Sequence, residues 1–363
     1  MDIEQLLTRH GFPPEIKARL LADGIRDLFP PQAAAIEQGV LEGKNTLLSI
    51  PTAAGKTLIA ELCMIRALIN HQGHCLYIVP LKALAAEEYE TFRQRYAALG
   101  IKVGLATGDS EAANNVYSGY HILIATAEKV DTFLRARAQW LLQNLKVVVL
   151  DEIHLINDPE RGPALEIITA RIRQLSPATQ ILALSATAQN AGQLADWLAA
   201  GLVASDWRPI PLREGVLHER RITFPGDQEQ ALLVGRGSPD DLNAVITDTL
   251  RDQGQALVFV NSRRSAQTVS RQIGAGVAAT LNAAERAQLD QLADAVLSTE
   301  TETTRTCRQL AEVIRQGTAF HHAGLRPRQR RLVEDHFKSR LIRVICSTPT
   351  LAAGVNLPAR RAI

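Results

Sequence analysis

Ile50-Pro51-Thr52-Ala53-Ala54-Gly55-Lys56-Thr57 is the stretch on which the fold turns. The apolar run Thr46 to Ile50 before it reads as a buried strand, and Leu58-Ile59-Ala60-Glu61-Leu62-Cys63-Met64-Ile65 after it has helical spacing. Strand, small-residue loop, Gly-Lys-Thr and helix, in that order, is the context of a phosphate-binding loop. Backbone N–H groups at the helix start lack intrahelical partners, and that end carries roughly half a positive charge, so a polyphosphate is favoured there. The loop residues Pro51, Thr52, Ala53, Ala54 and Gly55 let the backbone close on the phosphates. Lys56 reaches the β- and γ-phosphates, and the Thr57 hydroxyl ligates Mg²⁺. One position departs from the strict pattern: its first residue should be Gly and is Ile50.

Outward from that loop, short apolar runs alternate with helix-length segments as far as residue 200. The strand candidates are Thr46–Ile50, Cys75–Val79, Val103–Ala106, Ile122–Ala125, Val147–Leu150 and Ile181–Leu184. Rich in Val, Ile and Leu and without polar alternation, they look like strands buried on both faces of a parallel sheet. Lys82–Leu99, Glu128–Arg137 and Ala164–Leu175 are the helical segments between them. The alternation predicts an α/β, doubly wound domain over 1–200. The proline-bearing Asp206-Trp207-Arg208-Pro209-Ile210-Pro211 and the glycines that follow predict an inter-domain connection over 201–240 with a short β-hairpin. A second α/β pattern, 241–363, starts with Ala256-Leu257-Val258-Phe259-Val260, passes through a polar helical stretch at 278–316 and includes the strand Arg343-Val344-Ile345-Cys346. With so few strands it looks unfinished.

The 363 residues suffice for two domains, and 46% apolar with 21% charged residues is ordinary for a globular chain. A formal charge of only +2 means that any nucleic-acid affinity must come from local patches. At 4% aromatic residues, broad base-stacking platforms are not expected. Cys63, Cys75, Cys307 and Cys346 have no metal-ligand spacing and read as reduced, mostly buried thiols of a cytoplasmic protein. Met1-Asp2-Ile3-Glu4-Gln5 lacks the marks of a signal peptide, and no apolar run approaches the ~18 residues of a membrane span.

A second chemical feature lies 95 residues after Lys56, where Val147-Val148-Val149-Leu150 ends in Asp151-Glu152-Ile153-His154. Two carboxylates then stand at the carboxyl end of a parallel strand, where α/β sheets bind ligands. Asp151 is placed to hold Mg²⁺, directly or through water, and Glu152 to orient or deprotonate an attacking water. Phosphoryl transfer requires little beyond positioning and charge neutralisation, so this pair and the loop make most of a hydrolytic site. Ser185-Ala186-Thr187 closes the next apolar strand; small hydroxyl residues there also serve as plain helix caps. Gln32, 24 residues before Lys56, either reads the adenine edge and selects ATP or is simply an early residue of a helix over 32–42.

Taken in order, Phe29–Gln32, Pro51–Thr57, Pro80-Leu81-Lys82-Ala83-Leu84-Ala85, Thr107-Gly108-Asp109, Ala125-Thr126-Ala127-Glu128-Lys129, Asp151–His154 and Ser185–Thr187 resemble the motif series of a superfamily 2 DExH-box helicase. Val258-Phe259-Val260-Asn261-Ser262-Arg263, Phe320-His321-His322-Ala323-Gly324-Leu325 and Thr348-Pro349-Thr350-Leu351-Ala352-Ala353-Gly354-Val355-Asn356-Leu357-Pro358-Ala359-Arg360 continue it. The later strings and the Ala-Ala of the loop resemble the Ski-like group, and within it the archaeal fork-repair DNA helicases of the helicase-308 family. The resemblance implies two RecA-like domains of the P-loop NTPase type, with ATP and Mg²⁺ between them and single-stranded or forked DNA across their tops. His154, Gly354 and Asn356 would then join the nucleotide site. Ser185 and Thr187 would couple it to movement. Lys82, Thr107, Thr126 and Lys129 from the first domain, and Asn261, His322, Thr348 and Thr350 from the second, would contact strand phosphates. Such contacts position a strand without reading its sequence.

The activity so implied is an ATP-dependent helicase moving 3′ to 5′ on single-stranded DNA in fork repair or recombination, with replication or repair proteins as partners. An RNA-remodelling helicase of the same group and a nucleotide-binding module without turnover are the alternatives. A P-loop transport ATPase would need a signature loop that the sequence lacks. His321-His322 have no third ligand in view and are not read as a metal site. Arg326-Pro327-Arg328-Gln329-Arg330-Arg331 is equally a basic groove or a solvated helix start. The family's Gln-x-x-Gly-Arg-x-Gly-Arg motif is expected downstream of Ile363, so the sequence reads as a fragment that holds ATP better than it turns it over.

Overall fold

The structure, a computed structural model, describes the chain except residues 71–72, 109–113, 226, 234–239, 299–303 and 350–356, and except the side chains of 70, 114–115 and 227–233. It divides into two compact units, Met1–Leu212 and Arg213–Ile363. The first unit opens with helices α1 (Ile3–Arg9), α2 (Pro14–Ala22) and α3 (Pro30–Glu37). Strands β1 (Thr46–Ser49), β2 (His74–Val79), β3 (Val103–Ala106), β4 (Ile122–Thr126), β5 (Leu145–Leu150), β6 (Gln180–Ser185) and β7 (Gly201–Ala204) then form one sheet. Interleaved with them are α4 (Lys56–Asn70), α5 (Lys82–Tyr96), α6 (Ala127–Arg135), α7 (Gln139–Leu142), α8 (Gly162–Leu175) and α9 (Ala191–Leu198). The strand order is β3-β4-β2-β5-β6-β1-β7, and the strands pair in parallel.

Alternate residues of these strands supply two cores. Leu48, Tyr77, Val79, Ile124 and Val149 pack on one face against α1–α5. Leu47, Leu76, Ile78, Leu123 and Val148 pack on the other against α6–α9. Burial on both faces is why the strands lack polar alternation, and helices on both faces are what a parallel sheet requires. All six strand candidates of the first domain form. The edge strand β7 lies inside the stretch expected to be inter-domain connection: Gly201–Ala204 runs parallel to Thr46–Ser49, so the first unit extends past residue 200. Only Val203 of that strand is buried, which leaves a weak apolar signal.

One charged group is built into the apolar face of α4. Glu61, 3% exposed, receives Arg95 Nη1 at 2.6 Å and the Tyr96 hydroxyl, while Arg95 Nε reaches Asp23 at 2.8 Å. Removing one member of a buried pair leaves an uncompensated charge and costs about 3–5 kcal/mol. The cluster therefore ties α4 and α5 to the end of α2.

The second unit begins with strands β8 (Val216–His218), β9 (Arg221–Phe224) and β10 (Asp227–Leu233), an antiparallel three-stranded sheet in place of the short hairpin expected. Strands β11 (Ala256–Phe259), β12 (Thr318–His321), β13 (Val344–Ser347) and β14 (Arg361–Ala362) make a parallel sheet in the order β12-β13-β11-β14. Its helices are α10 (Asp241–Arg251), α11 (Arg263–Ala278), α12 (Ala283–Ser298), α13 (Arg305–Ile314) and α14 (Pro327–Lys338). Within the polar stretch over 278–316, the described residues form α12 and α13, with Leu289, Leu292, Ala293 and Val296 of α12 turned into the core. Among the described residues, no helix is long and apolar enough to cross a membrane.

Gly162, at the start of α8, offers a test of this packing. A Cβ there would stand 2.0 Å from the Ile156 carbonyl oxygen, a backbone atom that cannot swing aside. Gly162→Ala should cost roughly 1–3 kcal/mol and lower the melting transition by about 3–10 °C, read by thermal circular dichroism.

Candidate functional site

The phosphate loop leaves β1 at the carboxyl edge of the sheet. The Ile50 N–H donates to Ser185 C=O (3.2 Å) and so extends the β1–β6 pairing one residue. The Ala54 N–H donates back to Pro51 C=O (3.2 Å) and closes the turn. Ala53 and Gly55 both take left-handed backbone angles, φ 69° and 79°. Such residues in a turn curl backbone N–H groups into an anion-binding concavity. Ala54 and Lys56 are buried, Thr52 and Ala53 exposed. Lys56 Nζ donates to Ile50 C=O at 3.3 Å, curled into its own loop.

Gln32 is fastened to this loop. Its Oε1 accepts from the Phe29 N–H (2.8 Å), and its Nε2 donates to Gly55 C=O (2.9 Å). It is 2% exposed, and a Cβ on Gly55 would lie 2.1 Å from Nε2, so any other residue at 55 would push the amide from its place. The glycine that the motif demands is thus favoured here by its φ of 79° and lets Gln32 reach the loop. The bonds that Gln32 makes are to backbone, and each amide atom keeps one further hydrogen-bonding position.

Asp151 follows β5, and its N–H continues the ladder to Ile78 C=O (2.8 Å). Its two carboxylate oxygens are separately held: Oδ1 accepts the Glu152 N–H at 2.9 Å, and Oδ2 accepts the Tyr77 hydroxyl at 3.1 Å. The Thr57 side chain stands beside the same Tyr77 hydroxyl. Burial pushes Asp151 up to about 6 and the neighbouring Glu152 charge adds to it, against the opposing pull of Tyr77 and Lys56. Burial also pushes Glu88, on α5, up to about 8, with the Asp151 and Glu61 charges adding. Glu152 sits in the left-handed region (φ 51°), and His154 Nδ1 lies 3.3 Å from its Oε2.

The donors fit Mg²⁺. Thr57 and Asp151 offer only hard oxygens, and both meet the same Tyr77 hydroxyl, so they flank one point. Among the described residues no cluster of three or more His, Cys, Asp or Glu could hold a metal. That suits an ion which keeps its waters and takes one or two protein oxygens plus substrate phosphates.

Ser185 is fully buried and its backbone is stitched to β1: Ala186 C=O accepts from Ser49 Oγ (3.3 Å), which itself accepts the Ala188 N–H (3.2 Å). Thr187 is exposed. Further along the same edge, Lys82 follows β2, Thr107 follows β3 and Thr126 ends β4, three adjacent strands. Lys82 Nζ would be 3.7 Å from a Cβ on Gly108, so it leans toward the Thr107 loop. Thr126 is 2% exposed, and Lys129 Nζ lies 5.3 Å over the Phe133 ring.

In the second unit Asn261 is exposed after β11 and Thr348 half-buried after β13. His322, expected to contact a strand phosphate, is placed with its ring inside. It is 2% exposed, stacks on Phe320 at 5.3 Å, accepts the Gly324 N–H on Nδ1 (3.1 Å) and meets Gln267 through Nε2 (3.2 Å). Apolar stacking and a tight turn keep this ring inside. His321 faces Glu334 at 2.7 Å. Thr350, Gly354 and Asn356 lie outside the described residues. Arg326, Arg328 and Arg331 are exposed around the start of α14.

Tyr77, Glu88 and the Glu61–Arg95 pair were not singled out from sequence. A signal existed for two of them: Tyr77 is a hydroxyl in an aliphatic strand and Glu61 a charge in an apolar helix face, and buried polar groups must find partners.

A parallel sheet with a Gly-Lys-Thr loop, an acid pair two strands away and helices on both faces defines a P-loop nucleotide-binding protein of the RecA-like kind. Residues 29–194 match the DEAD/DEAH box helicase family. Nearly the whole chain is similar to proteins named ATP-dependent DNA helicase Hel308. The relative from Methanocella arvoryzae is 47% identical over 97% of this chain and 47% of its own length. Those from Pyrococcus horikoshii and Caldivirga maquilingensis are 42% and 43% identical over 100% of this chain, and over 48% and 47% of their own length. The chain fits the Hel308-like superfamily 2 helicases. It spans about half the length of the curated relatives it matches.

A prediction follows from Asp151. Were Mg²⁺ to take the carboxylate, protons would compete with it below about pH 6. Mg²⁺-dependent nucleotide affinity should then be flat above pH 7 and fall about tenfold between pH 7 and 5, a slope that Asp151→Asn should lack. In the metal-free protein the sign is opposite for stability: a raised acid favours the folded state when protonated, and that contribution is lost as pH rises from 3.8 to about 6.

Proposed function

We propose that this chain is the ATP-binding part of an ATP-dependent DNA helicase that moves 3′ to 5′ on single-stranded or forked DNA in fork repair or recombination. The observation that carries the reading is the shared carboxyl edge of the first sheet, which holds the Lys56 loop and the Asp151-Glu152 pair together with the row of Lys82, Thr107 and Thr126. The relatives named as ATP-dependent DNA helicases support ATP and DNA as the ligands.

The chemistry assigned to each residue follows from its place. Backbone N–H groups of Pro51–Lys56 receive the phosphates, and Lys56 leaves Ile50 C=O for the β- and γ-phosphate oxygens. Gln32 uses its remaining amide positions on the adenine edge. Thr57 and Asp151 hold Mg²⁺, which when bound neutralises charge on the transferring phosphoryl group. Glu152 orients the attacking water and accepts its proton, with His154 beside it. Phosphate contacts through Lys82, Thr107 and Thr126 position the strand without reading bases.

Strand-stimulated ATP hydrolysis tests this reading. Turnover, expected to be low in this chain, should still rise with oligo-dT more than with oligo-U of equal length, and Lys56→Ala should reduce it at least about a hundredfold, as loss of a principal phosphate-stabilising donor does. Preference for oligo-U would favour an RNA-remodelling enzyme. Nucleotide binding that no strand stimulates would reduce the chain to a binding module, and turnover retained in Lys56→Ala would sink the site assignment.

A further inference from the structure

Tyr77 has no role in the chemistry set out above, yet its hydroxyl stands at the point where that chemistry meets. The side chain is fully buried in the middle of β2. Its ring is fixed by the edge-on contact with Phe92, centroids 5.6 Å apart. Its hydroxyl donates to Asp151 Oδ2 at 3.1 Å and stands beside the Thr57 side chain, the first just past the neighbouring strand and the other at the head of α4. Register explains why the residue can do this: Tyr77 pairs with Val149, two residues before Asp151, and its side chain lies on the face that α4 covers.

We propose that Tyr77 is a positioning residue for the Mg²⁺ site, its hydroxyl holding the Thr57 hydroxyl and the Asp151 carboxylate at one spacing so that both can ligate the same ion. The inference rests on the Mg²⁺–nucleotide reading and adds a residue to it. A phenol suits the task because it donates and accepts at once. With Oδ1 held by the Glu152 N–H and Oδ2 by Tyr77, the carboxylate plane is set before any ion arrives. Rigid support of this kind around a ligand is commonly worth about 10–100-fold in metal affinity. The aromatic ring alone would fill the same core space, so packing by itself gives no reason for the hydroxyl.

Tyr77→Phe separates the two. Binding of a fluorescent ATP analogue would be titrated with Mg²⁺ in the wild-type chain and the variant, and repeated in EDTA. The expected result is a Mg²⁺ midpoint raised about tenfold, with affinity in EDTA and the melting temperature close to wild type. An unchanged midpoint beside a Mg²⁺-dependent wild type overturns the proposal and leaves the nucleotide site standing. A variant that loses EDTA affinity and melting temperature together, with no added change in midpoint, also overturns it, in favour of a packing role. A wild-type chain whose nucleotide binding ignores Mg²⁺ overturns the metal site and this inference with it.

Discussion

Parallel pairing of β1 with β6, and of β6 with β5, is the constraint on which the rest depends. Leu48 opposite Leu184 and Ser49 opposite Ser185 fix where β1 stops, and the Ile50 N–H on Ser185 C=O carries that register into the loop. Val149 opposite Leu182 and Leu150 opposite Ala183 do the same for the strand that delivers Asp151. In a parallel sheet every strand ends at the same edge, so chemistry far apart in sequence gathers without any dedicated contact. A slip of one residue would turn each apolar set to the opposite face, and burial on both sides forbids it.

How much of this was legible depended on what kind of information each feature carries. Strands β1–β6 could be read because burial on both faces writes itself as uninterrupted Val, Ile and Leu. Strand β7 could not, because Gly201-Leu202-Val203-Ala204 buries one residue and owes its conformation to the free edge of β1. Strand β14 is two residues long and pairs with Ala256 and Leu257 for the same non-local reason. Lys56, Asp151 and Glu152 were readable because loop and strand-end chemistry is local. The partners of those residues were not: Tyr77 is 74 positions from Asp151, and nothing in a linear string fixes that distance. His322 is read by its motif as a strand contact, and its stacking on Phe320 and its burial are placements that the motif alone does not show.

The acids near the nucleotide site share one protein interior. Burial raises all three: at Glu61 the next influence is Arg95, which opposes the rise, whereas at Glu88 and Asp151 it is a neighbouring carboxylate, which adds to it. Asp151 is the member placed to gain most from a divalent ion, which would replace both its proton and the distant help of Lys56. The site is electrostatically unfinished in its resting form, as expected of a place built to take up a cation with its ligand.

The Gln32 bond to Gly55 has a consequence for the entropy of binding. Confining one residue's backbone to a single well costs about 1–2 kcal/mol, and a loop with two left-handed positions has more than one residue to confine. In this chain a buried side chain from 23 positions upstream already holds that loop in shape. Its disorder is removed when the unit folds, so an arriving nucleotide meets a cradle that no longer has freedom to lose.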